Sequence, residues 1–160
     1  KPADGWRVRA EPSGALVDRA TGRRHRYLFW EGTSTTLEID PAQAHCVARG
    51  DTVAFLEGAC DRFALTADEC GDLVSYWLPA LSRRPYNVVQ FVDEPTYERY
   101  ARLRVEPRPD AVIRPFLLFR GSDAPVAVGA PELPQRTRGR FTVVEWGGAE
   151  LGARDRATIR

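Results

Sequence analysis

"TADECGDLVSYWLP", residues 66–79, decides the fold. Thr66 and Glu69 have the spacing of a capping box, in which each side chain bonds the other residue's amide at a helix start. Cys70, Leu73, Val74 and Trp77 then recur three and four residues apart, the period of a helix with one apolar stripe. Pro79 lacks an amide hydrogen and is expected to end or kink the helix. Just upstream the period also changes. Asp51 follows Gly50 as an expected N-cap, and Val53, Leu56 and Cys60 continue at helical spacing. The two segments predict an αα-hairpin over residues 51–78.

The flanking sequence reads as strands. "GWRVRAE" alternates, "ALVD" returns after a Pro-Ser-Gly turn, and "RHRYLFW" alternates before becoming apolar on both faces. "TSTTLEID" predicts a short strand centred on Leu37 and Ile39. Beyond the hairpin, "NVVQFV", "ARLRVE", "AVIRPFLLFR" and "FTVVEW" are further strand candidates. Pro115 inside the third marks an edge or a bulge. Residues 121–140 read as a long surface connection, and the tail after residue 148 is expected to fray. The expectation is a single α+β domain over residues 1–160: a mostly antiparallel sheet with the αα-hairpin packed on one face.

Composition narrows the function classes. The chain of 160 residues suits one core, and 43% hydrophobic residues argue for a folded domain. Basic and acidic residues number 23 and 22, so no global field draws the chain to nucleic acid. No apolar run approaches the roughly 18 residues of a membrane span, so no transmembrane segment is expected. Three cysteines are too few for a disulfide scaffold and lack zinc spacing. Cys60 and Cys70 can form one bridge or remain buried thiols; export would favour the bridge. His25 and His45 have no ligand spacing, so no metal site and no cofactor is expected.

The candidate chemistry centres on "YLFWEG", residues 27–32, and "FTVVEWGG", residues 141–148. Both carry an adjacent tryptophan and glutamate. Glu31 and Glu145, held across a cleft, could act as acid and base in glycoside hydrolysis, with Trp30 and Trp146 stacking on the sugar. Against this, adjacent strand residues point to opposite faces, which would place the indoles inward and the glutamates outward. Tyr86 and Asn87, in the connector "YWLPALSRRPYN", are candidate ligand-binding residues. Arg83, Arg84, Arg136, Arg138 and Arg140 could clamp an anionic ligand bidentately.

Taken together, "YLFWEG", "VARGDTVAFLEGACDRFALTADECGDLVSYWLP", "RPYNVVQF", "RPDAVIRPFLLFR" and "FTVVEWGG" resemble an uncharacterised family of bacterial and fungal proteins. Its members are often exported or lipid-anchored lipoproteins and usually open with a motif like "KPVIYLYP". Here "KP" passes directly to "ADGWRVRA", so the rest of that opening segment is either absent from the protein or outside this sequence. Cys46 stands where relatives often have an aromatic or aliphatic residue, which marks it as core filling. The resemblance implies an extracytoplasmic, secreted or lipid-anchored location but no particular activity. Together with the absence of a catalytic constellation and the aromatic residues at loop boundaries, it leads to the expectation of a non-enzymatic binding module for a cell-envelope glycan or protein partner. The alternatives are a glycan-directed hydrolase using Glu31 and Glu145, and a purely structural domain.

Overall fold

The computed structural model describes residues 5–34, 37–152 and 157–159, with the backbone alone at residue 34 and residues 157–159. Its architecture is α+β. Three short antiparallel strands open the chain, β1 (Val8–Ala10), β2 (Leu16–Asp18) and β3 (Arg24–His25), in that spatial order. β4 (Gly32–Ser34) pairs antiparallel with the last strand, β11 (Ala157–Ile159).

The central sheet has the order β10–β8–β6–β5, built from β5 (His45–Ala48), β6 (Tyr86–Val92), β8 (Phe116–Ser122) and β10 (Gly147–Glu150). β5, β6 and β8 run antiparallel, whereas β10 lies parallel to β8. The sheet is therefore mixed, antiparallel except at one edge. β7 (Ala111–Ile113) and β9 (Thr142–Val144) form a second parallel pair. Between these elements lie α1 (Thr52–Arg62), α2 (Ala67–Leu81) and α3 (Glu94–Tyr100).

The helical hairpin forms as its local signals require. Thr66 and Glu69 make both bonds of the capping box at the start of α2. Asp51 occupies the N-cap position of α1 without a capping side-chain bond. Pro79 lies inside α2, which continues one short step to Leu81. A bridge between Cys60 and Cys70 joins the two helices, so the pairing replaces the simpler expectation of free buried thiols. Leu56, Leu73, Trp77 and Leu81 of the hairpin pack with Val47, Val89, Leu117 and Phe119 of the sheet. On the other face, Val92, Phe116, Leu118 and Ala149 meet Leu37, Tyr97 and Leu151. β8 thus alternates its side chains between two cores, as expected of a strand buried on both faces.

Several strand expectations are corrected. "RHRYLFW" is regular only at Arg24–His25; residues 26–31 form no strand. Tyr27 and Phe29 remain about half exposed, at 48% and 49%. Residues 37–40 of "TSTTLEID" are not in a strand, while residues 35 and 36 lie outside the described residues. "ARLRVE" follows α3 rather than forming a strand, because Asp93 caps a helix through Thr96 and Pro95 fits its first turn. The tail is not frayed at residues 149–150: these belong to β10, and Leu151 is buried.

The connector from 123 to 140 lacks regular structure but is fastened along its length. The Gly129 amide bonds Pro41 O, the Ala130 amide bonds Ala44 O, and the Arg136 amide bonds Arg62 O. It covers the outer edge of β5 and then returns to the hairpin. These bonds satisfy backbone carbonyls just before β5 and at the end of α1, which accounts for an ordered strap.

Candidate functional site

The site begins with a break shared by two parallel segments. β7 and β8 belong to the single run "AVIRPFLLFR", interrupted at Arg114 and Pro115. β9 and β10 belong to "FTVVEWGGAE", interrupted at Glu145 and Trp146. Partners are thirty-one residues apart on both sides, Ala111 with Thr142 and Phe116 with Gly147. The breaks therefore align without a change of register. The Glu145 amide bonds Ile113 O and the Gly147 amide bonds Pro115 O, at 2.9 and 3.1 Å, so pairing carries across the gap. Pro115 has no amide to offer, and this gap is where its absence costs least.

That alignment brings Arg114 beside Glu145. Arg114 Nε lies 2.5 Å from Glu145 Oε2, with the arginine side chain 2% exposed. Trp30 Nε1 donates to the other carboxylate oxygen, Oε1, at 2.9 Å. Arg114 also donates to Glu98 and to Ala101 O, and its guanidinium lies 4.3 Å from the Tyr97 ring centroid. A buried guanidinium is tolerable when its charge and donors are matched in this way. Burial, then the Glu145 carboxylate, pushes the Tyr97 hydroxyl above its ordinary range; Arg114 opposes the shift.

Trp146 points the other way. Its ring lies 5.7 Å from that of Tyr27, edge-on, and 5.7 Å from that of Tyr76 on α2. Tyr76 contacts Trp77 in turn, and Trp77 contacts Phe119 in the core. The result is an aromatic ladder from the surface to the sheet. Polar pairs flank it along the same side of α2. Arg26 grips Asp72 with two nitrogens, the closest contact being 3.1 Å, and Arg83 pairs with Glu150 beyond.

The two tryptophan-glutamate stretches therefore do meet, through Trp30 with Glu145 and Tyr27 with Trp146. Glu145 corrects the outward placement expected from alternation: it turns toward Arg114, and both of its oxygens are engaged. Glu31 stays exposed at the surface. Tyr86 and Asn87 lie elsewhere. Tyr86 pairs with Ser122 and Val92 with Phe116, so the register puts Tyr86 roughly 20 Å along the strand from the break. Asn87 is only 1% exposed and donates to Leu81 O at 2.6 Å, closing the end of α2. It fastens the fold and presents no surface to a ligand.

Four of the five expected anion-clamp arginines are occupied, and Arg140 has no ion pair among the described residues. Arg83 pairs with Glu150, Arg84 with Asp123, Arg136 with Glu94 and Arg138 with Glu69. His45 Nε2 bonds Pro131 O at 2.8 Å, which puts its hydrogen on that nitrogen. The free Cys46 receives the Val126 amide at 3.3 Å. Among the described residues, no group of three or more His, Cys, Asp or Glu side chains could hold a metal. Also among them, no helix is long and apolar enough to cross a membrane.

Sequence reasoning missed Arg114, Tyr97 and Tyr27, and it placed Tyr76 only within the aromatic connector "YWLPALSRRPYN". An arginine beside a proline within the apolar run "AVIRPFLLFR" was a usable signal for the first, since a charge there must find a partner. The others depend on contacts between distant segments. No protein-family model, no curated protein and no solved structure matches this chain.

Proposed function

We propose that this chain is a non-enzymatic extracytoplasmic module that binds a cell-envelope glycan on the face of Tyr27, Phe29 and Trp146. The observation that carries this reading is the pair of half-exposed rings at Tyr27 and Phe29, on a segment whose next aromatic residue, Trp30, is held by Glu145. Sugar rings present apolar faces that stack on aromatic rings, and their hydroxyl groups need polar partners at the rim. Arg26, Asp72, Arg83 and Glu150 supply both donors and acceptors there. Tyr27 is braced edge-on by Trp146, so little ordering entropy opposes binding at that ring.

Two further observations support the location and weigh against hydrolysis. A Cys60–Cys70 bridge suits an oxidising compartment, in keeping with the resemblance to an exported or lipid-anchored family. Both oxygens of Glu145 are engaged, so Glu145 is not free to serve as one of the two carboxylates a glycosidase needs. An array of cell-wall glycans probed with the wild type, Tyr27→Ala, Phe29→Ala and Tyr86→Ala tests the reading. Loss of one stacked ring should weaken binding by about three- to tenfold. Tyr86→Ala should leave it unchanged. Absence of wild-type binding, or equal loss at Tyr86, would reject the aromatic face.

A further inference from the structure

Charge is segregated in this chain. Residues 5–26 carry six arginines against Glu11 and Asp18, while the whole chain has a net charge of only +1. The small β1–β2–β3 sheet is therefore a basic unit on an otherwise slightly acidic protein.

Three of these six arginines have carboxylate partners, and among the described residues Arg7, Arg19 and Arg23 have none. Arg9 and Arg24 share Glu11, at 3.2 and 2.7 Å, and Arg26 is held by Asp72. Asp18 accepts from the Ala20 and Thr21 amides and the Thr21 hydroxyl, which commits its carboxylate to the turn. Arg7 and Arg19 are set apart from Arg23 by their placement. The register that pairs Val8 with Asp18 sets them directly opposite each other, and the Arg19 amide bonds Arg7 O at 2.9 Å. Among the described residues neither has an ion-pair partner. With Ala20 they line a shallow open depression of about 320 Å³.

Like charges directly opposed on an antiparallel pair are unfavourable, and an anion between them would turn repulsion into attraction. Opposed side chains start about 5 Å apart at Cβ, close enough for two long guanidinium arms to converge on one ligand. Each guanidinium fork seeks two acceptor oxygens. A carboxylate has only two and satisfies one fork; a phosphate monoester has three terminal oxygens and can serve both.

We propose that Arg7 and Arg19 form a cross-strand clamp for a phosphate ester, separate from the aromatic face and independent of the glycan reading. The group could belong to a phosphorylated sugar or to a lipid headgroup. Titration of the full chain with inorganic phosphate at constant ionic strength, followed through arginine Nε–H signals by NMR, tests the clamp. Arg7 and Arg19 should respond together. Arg7→Gln and Arg19→Gln should each lower phosphate affinity by about tenfold, the loss of a charge-assisted contact. Arg120→Gln, an exposed arginine on β8, should not change it, and the lysine variants at positions 7 and 19 should recover only part of the affinity. Acetate should bind more weakly than phosphate.

Glucose 6-phosphate and phosphatidylcholine vesicles containing phosphatidic acid then separate the two sources; preference for either supports the clamp and assigns it. Responses spread evenly over exposed arginines, an equal loss in Arg120→Gln, or acetate binding as tightly as phosphate would overturn it.

Discussion

Removing Arg114 tests whether Glu145 is held by the fold or reserved for chemistry. The Arg114 side chain is 2% exposed and Glu145 17%, whereas Glu98 is 42% exposed. Breaking a buried pair by deleting one partner costs about 3–5 kcal/mol, because the other charge is left uncompensated. Water reaches Glu98 and, in part, Glu145, so Arg114→Met is expected to cost less, about 2–4 kcal/mol. In a chain of this length each kcal/mol shifts Tm by about 2–4 °C, giving a fall of roughly 5–15 °C. Glu145→Gln keeps an acceptor for Trp30 but removes the ion pair, so it isolates that term. The double variant should be less destabilised than the two singles together by about 1.5–3 kcal/mol. Urea unfolding at neutral pH with unchanged m measures all three. The sign is also informative, since replacing a strained catalytic group often stabilises an enzyme, whereas replacing half of a latch does not. A coupling below about 0.5 kcal/mol, or a stabilised Glu145→Gln, would refute the latch.

Three other perturbations probe the elements around it. Reducing the Cys60–Cys70 bridge opens a loop of sequence separation 10 and should cost about 2.5–3 kcal/mol by chain entropy; an unchanged urea midpoint after reduction would contradict this. Tyr97 has its hydroxyl pKa raised by burial, so the folded state retains a proton that the unfolded chain releases near pH ~10. Its contribution to stability is therefore full below that pH and lost as pH rises above it, and Tyr97→Phe should flatten the alkaline limb of stability against pH; an identical limb would refute the assignment. Gly148→Ala places a Cβ 2.4 Å from Leu117 O and 2.9 Å from Trp77 Cζ2, which should destabilise by about 1–3 kcal/mol through overpacking. Wild-type stability in that variant would refute the tight packing of β10 against Leu117 and Trp77.

How much of this was legible depended on the range of the interactions involved. The αα-hairpin could be read because its capping box and apolar stripe are local to residues 66–77. The helix Glu94–Tyr100 also carried local signals, Asp93 at its cap and Pro95 in its first turn, but the alternation of "ARLRVE" immediately after it suggested strand. Alternation specifies a strand only when a neighbouring strand is present to pair with it. The need for glycine in "WGG" was out of reach for a different reason. Gly148 is buried within β10, where a Cβ would meet Leu117 O of the neighbouring strand at 2.4 Å and Trp77, seventy-one residues earlier, at 2.9 Å. Only the folded packing reveals that requirement. The exposed rings at Tyr27 and Phe29 were hidden similarly, since an apolar run such as "YLFW" looks inward until its strand partner proves to be absent.

The aligned break explains why a carboxylate expected to face solvent lies inside. Arg114 and Glu145 sit thirty-one residues apart, like the strand partners on either side of them, so the parallel register places them together. In an uninterrupted strand, alternation would fix each side chain's face before electrostatics could act. The gap at Arg114–Pro115 relaxes that constraint at the one point where two charges of opposite sign stand side by side. Pairing then draws both inward, and Glu145 gains the Trp30 indole as a second donor. Meanwhile Trp146, pointing the opposite way, is released to meet Tyr27 and Tyr76. One interruption thus both fastens the core and sets the aromatic ladder at the surface. For that reason, loosening the latch at Arg114 should also weaken the proposed glycan binding at Tyr27, even though the two residues face different sides of the sheet.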